Sequence, residues 1–318
     1  MAFPGSLPFA ELRRAMEFLR HYAPAQPGRP QLPPFDRSDM LSEMLAPWEG
    51  QLWHRTGPWQ WEVPGESLRL PEALPLAPAE EFFRHETLID FAGAAVFRDQ
   101  RVGPVTLAQR LFFPDGEPVI ARLDAALRLA RWCGAAMAAL GGLISRRTGF
   151  FPVLTLDEPM AGGVDPALAG KLWAAALDET RAAPGSLGVH CCGAADWSAL
   201  GPELTRAGGA HLHVDCEVSL SALLEPGAWL GDFVRAGGMV GWGLIPADGS
   251  AGDPEALAAD LARRLEARFG GAMTRTILRQ STIGPACGLG LAGEKVASRV
   301  GEQSVRGSEF LRRKYRFD

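Results

Sequence analysis

Hydrophobic and polar positions change character along this 318-residue chain. Near the start, positions 9–22 set Leu12, Met16 and Leu19 at helical spacing and predict an amphipathic helix. Prolines then recur at 24, 27, 30, 33 and 34, and again at 58, 64, 71, 75 and 78. Neither regular helix nor central strand tolerates such a run. Four of the nine tryptophans, Trp48, Trp53, Trp59 and Trp61, lie among these prolines. Rings of that size predict a packed covering layer, with room for a hairpin, and not a disordered tail.

From residue 86 the pattern becomes an alternation of short apolar runs and longer helical stretches. Candidate strands fall at 88–91, 151–156, 186–189, 211–215, 239–243 and 276–283. Candidate helices fall at 118–146, 166–183, 202–207, 220–236 and 254–269, with a last one from about 293 to 313. Asp165-Pro166 and Asp253-Pro254 each set a capping carboxylate before a proline at the first helical position. Repeated strand–helix units predict an α/β fold with a parallel sheet. At this length the expected form is a closed (β/α)8 TIM barrel, one domain over 1–318, with 1–85 as an irregular Pro/Trp-rich N-terminal covering segment. No Gly-x-Gly-x-x-Gly follows a first strand and no phosphate loop appears, which weighs against an open nucleotide-binding sheet.

Composition narrows the function classes. Hydrophobic residues make up 47% of the chain, enough for a sizeable core. A formal net charge of -5 weighs against nucleic acid or an anionic membrane surface as a partner. The first residues, Met1-Ala2-Phe3-Pro4-Gly5-Ser6, lack the basic region and apolar run of a signal peptide. The most apolar stretch, 134–144, is too short to span a bilayer and precedes Arg146 and Arg147. Five cysteines, an odd number in a long chain, fit a reducing compartment better than a disulfide framework. The expectation is a soluble cytoplasmic protein.

The chemistry gathers around Gly188-Val189-His190-Cys191-Cys192-Gly193, an apolar rise that ends in His-x-Cys and stops at glycine. Imidazole and thiolate are zinc's preferred ligand types, although such pairs also arise by chance. A third donor, Cys287, follows the last candidate strand in Gly284-Pro285-Ala286-Cys287-Gly288. In a barrel, the C-terminal strand ends build the active site. On the next strand His211, His213 and Asp215 share a face by alternation. Asp215, nearest the strand end, is the candidate fourth ligand; His213 competes with it, and Cys216 and Glu217 do so more weakly. Cys191 points away from its neighbours and Cys133 sits mid-helix, so both read as packing. Asp157-Glu158-Pro159 ends another strand with two carboxylates, which suit an ammonium group, acid–base work or plain salt bridges equally well. Gly103-Pro104-Val105-Thr106 reads as a turn before a helix.

Taken in order, Gly5-Ser6-Leu7-Pro8, Gly103-Pro104-Val105-Thr106, Asp157-Glu158-Pro159, His190-x-Cys192 and Cys287-Gly288-Leu289 resemble the catalytic barrel of cobalamin-independent methionine synthase. That barrel belongs to a superfamily with uroporphyrinogen decarboxylase and the corrinoid-linked methyltransferases. The resemblance covers most of the chain. It implies a zinc ion held by His190, Cys192 and Cys287, with Asp215 where the family carries a glutamate ligand. It also implies that Ser6 and Asp157, with Glu158 beside it, contact the amino-acid part of a homocysteine-like thiol. A net negative zinc site would bind that thiol as thiolate and leave its sulfur nucleophilic. The family's additional N-terminal barrel has no counterpart here, and 32–37 offers no match for the family's homocysteine-contacting glutamate. The resemblance is therefore to the stand-alone core forms, for which a methyl-corrinoid protein or methylcobalamin is the expected donor. Two other readings stay open. One is a porphyrinogen decarboxylase, which needs no zinc. The other is a non-catalytic protein whose structural zinc has four protein ligands.

Overall fold

A computed structural model describes residues 3, 5–32, 39–84, 94–225, 227 and 229–317. Its elements run α1 Leu12–Tyr22, α2 Met40–Leu45, β1 His54–Gly57, β2 Gln60–Glu62, α3 Ala77–Phe82, β3 Val96–Val102, α4 Pro104–Arg110 and β4 Leu111–Phe112. There follow α5 Leu123–Thr148, β5 Phe151–Asp157, α6 Pro166–Thr180, β6 Ser186–Cys191, α7 Trp197–Ala207, β7 His211–Asp215 and α8 Cys216–Leu223. The last are α9 Leu230–Arg235, β8 Met239–Ile245, α10 Pro254–Arg279, β9 Ser281–Pro285 and α11 Glu294–Tyr315.

Among the described residues, two sheets organise the chain. The larger is six-stranded and all-parallel, in the order β3-β5-β6-β7-β8-β9. Parallel neighbours need crossovers, and helices supply them. The smaller joins β1 and β2 as an antiparallel hairpin and adds β4 parallel to β2. It lies in the covering layer, where Trp53 and Trp61 are fully buried and Trp48, Trp53 and Trp132 meet edge to face.

Alternation along the large sheet separates two environments. Leu154, Leu156, Val189, Leu212, Val214, Val240 and Trp242 face the helices and form the dry core. The other face carries polar residues, and the pairing sets them in one row. Asp157 pairs with His190, His190 with His213, and His213 with Gly241. The two edges of the sheet both meet the N-terminal segment. Gly28 forms a parallel bridge to Arg98 of β3, Ser6 forms one to Gln31, and the Leu289 amide donates to the Ser6 carbonyl (2.8 Å).

Several expected elements move. The stretch 276–283 is not one strand: α10 continues to Arg279, past a kink at Gly270 (φ 73°), and the strand is Ser281–Pro285. Thr274, Ile277 and Leu278 are buried at helical spacing, and a short apolar run cannot by itself distinguish helix from strand. The helix expected at 220–236 is two, α8 and α9, as a Pro-Gly pair at 226–227 would suggest. The helix expected at 202–207 begins at Trp197, where Asp196 caps it by accepting from the Ser198 amide. Strand β3 was not expected, and the candidate strand at 88–91 lies outside the described residues. Asp165 and Asp253 do cap α6 and α10. Helix α5 is long and apolar enough to cross a membrane by composition, and 61% of its most apolar stretch is buried inside the fold.

Candidate metal centre

His190 is the fifth residue of β6, Cys192 follows that strand, and Cys287 follows β9. Parallel strands deliver all three to the same end of the sheet. One ligand atom from each lies within 4.8 Å of the others. His190 is buried, while both cysteines are half-buried. Hydrogen bonding from Cys192, helped by His190, outweighs burial and holds the Cys287 thiol far below its ordinary value. The same contact to Cys287, together with burial, pushes the Cys192 thiol up. The two sulfurs thus compete for one proton, and the contact favours the thiolate at Cys287. Burial disfavours the His190 imidazolium, but the Cys287 sulfur and Asp157 carboxylate more than compensate, and its pKa rises. The donor set is N/S-only and close-spaced, a combination that fits zinc.

The remaining predicted site residues divide. Asp215 lies outside the three-donor group; its Oδ1 accepts from the Glu217 amide (2.8 Å) and caps α8. Asp215 and Cys287 both line a cleft of about 470 Å³, together with Glu217, Asp248, Asp260 and Arg264. Asp157 stands beside His190 in the ladder, 2% exposed, with Oδ1 lacking a hydrogen-bond partner among the described residues. Burial pushes its carboxyl up to about 7, against the opposing pull of His190.

Glu158 faces elsewhere. It accepts from the amides of Val105 (2.9 Å) and Thr106 (2.7 Å) and from the Trp173 indole (2.9 Å). Both oxygens are taken by the protein, and the side chain is 0% exposed. Two motifs that read separately in the sequence, at 103–106 and 157–159, are therefore one unit: a carboxylate on the N-terminus of α4. Ser6 lies on the Cys287 loop, its Oγ accepting from the Gly290 amide (3.3 Å).

One contributor was read in another role, as a competing fourth ligand, and one escapes sequence reasoning. His213 sets Nδ1 2.8 Å from Nδ1 of His190, and Arg98 of β3 is buried in the polar interior close enough to Asp157 to feel its charge. The alternation of His211 and His213 was a signal for the first. Nothing in the local pattern signals the second.

No protein-family profile matches the chain, and no curated protein sequence matches it. Among solved structures it is similar to a B12-independent methionine synthase from Shewanella sp. W3-18-1 in complex with selenomethionine. The TM-score is 0.61 at 14% identity, over 95% of this chain and 87% of that one. At so low an identity the likeness shows a shared fold, and over nearly the whole of both chains.

Proposed function

We propose that this protein is a zinc-dependent methyltransferase that moves a methyl group to a small thiol, with homocysteine the favoured acceptor and a methyl-corrinoid protein or methylcobalamin the donor. The observation that carries the reading is the meeting of His190, Cys192 and Cys287 at one end of a parallel sheet, beside an open cleft. We read the fold as a closed (β/α)8 barrel, a reading supported by the parallel bridges Gly28–Arg98 and Ser6–Gln31 and by the hydrogen bond from Leu289 to Ser6. A reducing cytoplasm suits a site built on thiols, and all five cysteines are unpaired.

His190, Cys192 and Cys287 would hold the zinc, with Asp215 turning its second oxygen inward as fourth ligand. Bound zinc would let a thiol enter as thiolate at neutral pH and keep it nucleophilic. Asp157, unpartnered at Oδ1, would take the substrate ammonium, and Ser6 would meet its polar end. Glu158 acts from behind by fixing α4. The barrel mouth orients the acceptor and excludes water from it.

The test combines metal and turnover. The purified protein should carry about one zinc per chain, and Cys287→Ser should lose most of it while keeping its far-UV circular dichroism. The zinc-loaded protein should demethylate methylcobalamin only when homocysteine is added. Full zinc occupancy in Cys287→Ser, or no thiol-dependent demethylation from either corrinoid form, would sink the proposal.

A further inference from the structure

The N-terminal ends of the strands, opposite the thiolates, surround a second cavity of about 100 Å³. Its mouth is apolar, with Phe151 and Met239 at the first positions of β5 and β8, 53% and 37% exposed, and Val153 behind them. Large apolar side chains left in water around a cavity mouth mark a place where something apolar can be covered.

The inner end is polar and short of acceptors. Arg98 lines the cavity, is 9% exposed, and its guanidinium forms no hydrogen bond or ion pair among the described residues. Burial pushes it down to about 10, and Asp157 opposes this from beyond ion-pair distance. A guanidinium has five N–H donors, and a buried cation without a partner is costly. His213 also lines the cavity, and its buried Nε2 has no hydrogen-bond partner among the described residues. Its Nδ1 lies 2.8 Å from His190 Nδ1, so Nε2 is the ring nitrogen left to the cavity. His211, the third polar group here, is already satisfied by Thr155 Oγ1 (2.8 Å) and Ser186 Oγ (3.3 Å). One cation and one orphaned ring nitrogen on the same cavity call for a polar ligand that carries negative charge.

We propose that this basal cavity binds a short-chain monocarboxylate, its headgroup on Arg98 and His213 Nε2 and its alkyl chain against Val153, Phe151 and Met239. The charge is matched at the inner end and the apolar tail at the mouth, so neither an inorganic anion nor a neutral amide satisfies both halves. The ligand enters from the face opposite the thiolate centre, and the assignment does not rest on the methyltransferase reading.

The experiment follows thermal unfolding of the full chain in sodium butyrate, in butyramide and in sodium chloride, at matched ionic strength, with saturation-transfer NMR on the ligand methyl. Butyrate at about 20 mM should raise the midpoint by at least about 2 °C and show saturation transfer, as expected for a ligand that binds only the folded state. Butyramide and chloride should do neither. Arg98→Met should weaken butyrate binding by at least about tenfold, the scale of a lost charge-assisted contact. Should that variant not fold, Val153→Phe fills the cavity and must abolish the butyrate shift in the same way. Equal shifts from butyrate and butyramide, a chloride shift as large as that of butyrate, no butyrate shift in the wild type, or an unchanged shift in Val153→Phe would each overturn the assignment.

Discussion

His213 sets its ring Nδ1 2.8 Å from Nδ1 of His190, with the ring centroids 4.7 Å apart. Of two facing neutral nitrogens, one must donate and the other accept. His190 also bonds to Cys287, so its Nδ1 is turned to His213 and its Nε2 is left for the sulfurs. The ring plane and tautomer of a candidate metal ligand are therefore set by a neighbour on the next strand. Gly241 makes this possible. It pairs with His213 in the ladder, and a Cβ there would stand 2.4 Å from His213 Cδ2, where no real Cβ fits.

That arrangement ranks two substitutions. Asp215→Ala removes the proposed fourth ligand and the cap of α8, whereas His213→Ala removes only an orienting contact. His213→Ala should lower zinc affinity by about 10–100-fold, the usual scale for an outer-shell partner. Asp215→Ala should cost more than that, and about 1 kcal/mol of stability besides through the lost cap. Competition against a chromophoric chelator measures both affinities. If His213→Ala proves the more damaging, the ligand set is nearer to two histidines and two cysteines.

His211 supplies a pH dependence that needs no metal. Burial first, and then the Arg98 charge, push its pKa from the ordinary 6.5 down to about 3. Between those values the unfolded chain binds a proton that the folded protein refuses. Stability from the neutral imidazole is thus complete above pH 6.5 and is lost as pH falls toward 3. The slope approaches about 1.4 kcal/mol per pH unit, or roughly 2 kcal/mol between pH 6.5 and 5. His213 is shifted in the same direction and adds to the slope. Urea unfolding at a series of pH values should show this decline, with His211→Gln visibly shallower. Identical slopes in the two proteins would place the acid sensitivity elsewhere.

What could be read from the sequence, and what could not, divides along physical lines. His190, Cys192 and Cys287 were readable because each follows or ends an apolar run, and parallel strands bring such ends together. The caps at Asp165 and Asp253 were readable because carboxylate-proline pairs act locally. Strand β3 was not, for it reads Val96-Phe97-Arg98-Asp99-Gln100-Arg101-Val102 and breaks every apolar pattern. Its polar side chains are buried all the same, because their partners come from far off in the chain: Arg29 and Glu43 for Asp99 and Arg101, and Gln31 for Gln100. The capping role of Glu158 was equally hidden, since its partners lie more than fifty residues before it on α4.

The β3 cluster makes its own prediction. Glu43 takes both oxygens to Arg29 (2.9 Å each) and one also to Arg101 (3.0 Å), while Asp99 pairs with the same two arginines. Two acids balance two bases, all at least nine-tenths buried. Glu43→Gln would leave an uncompensated buried cation, which costs about 3–5 kcal/mol. The urea midpoint should fall accordingly with little change in slope. Because the cluster ties α2 and the 27–31 segment to β3, limited proteolysis should also cut the N-terminal layer faster. A loss below about 1 kcal/mol would mean that water reaches the cluster and screens it.

Asp157 tests the identity of the acceptor. Its carboxyl is pushed up to about 7 by burial, so near neutral pH it is only part-ionised before substrate arrives. An ammonium group against it would favour the ionised form, a charge-assisted contact worth roughly 1.5–3 kcal/mol. Asp157→Asn should therefore weaken homocysteine use by about tenfold to a hundredfold and spare thiols that carry no amino group. The wild-type kcat/KM for homocysteine should rise with pH through the region of 7, as the free carboxyl ionises, and the Asn variant should lose that rise. The measurement is methylcobalamin demethylation by absorbance, with homocysteine and a simple alkyl thiol side by side across pH. Equal turnover of both thiols in wild type and Asp157→Asn would mean that the amino-acid end of homocysteine is not what the site recognises. A pH profile unchanged by the substitution would assign the ionisation to another group.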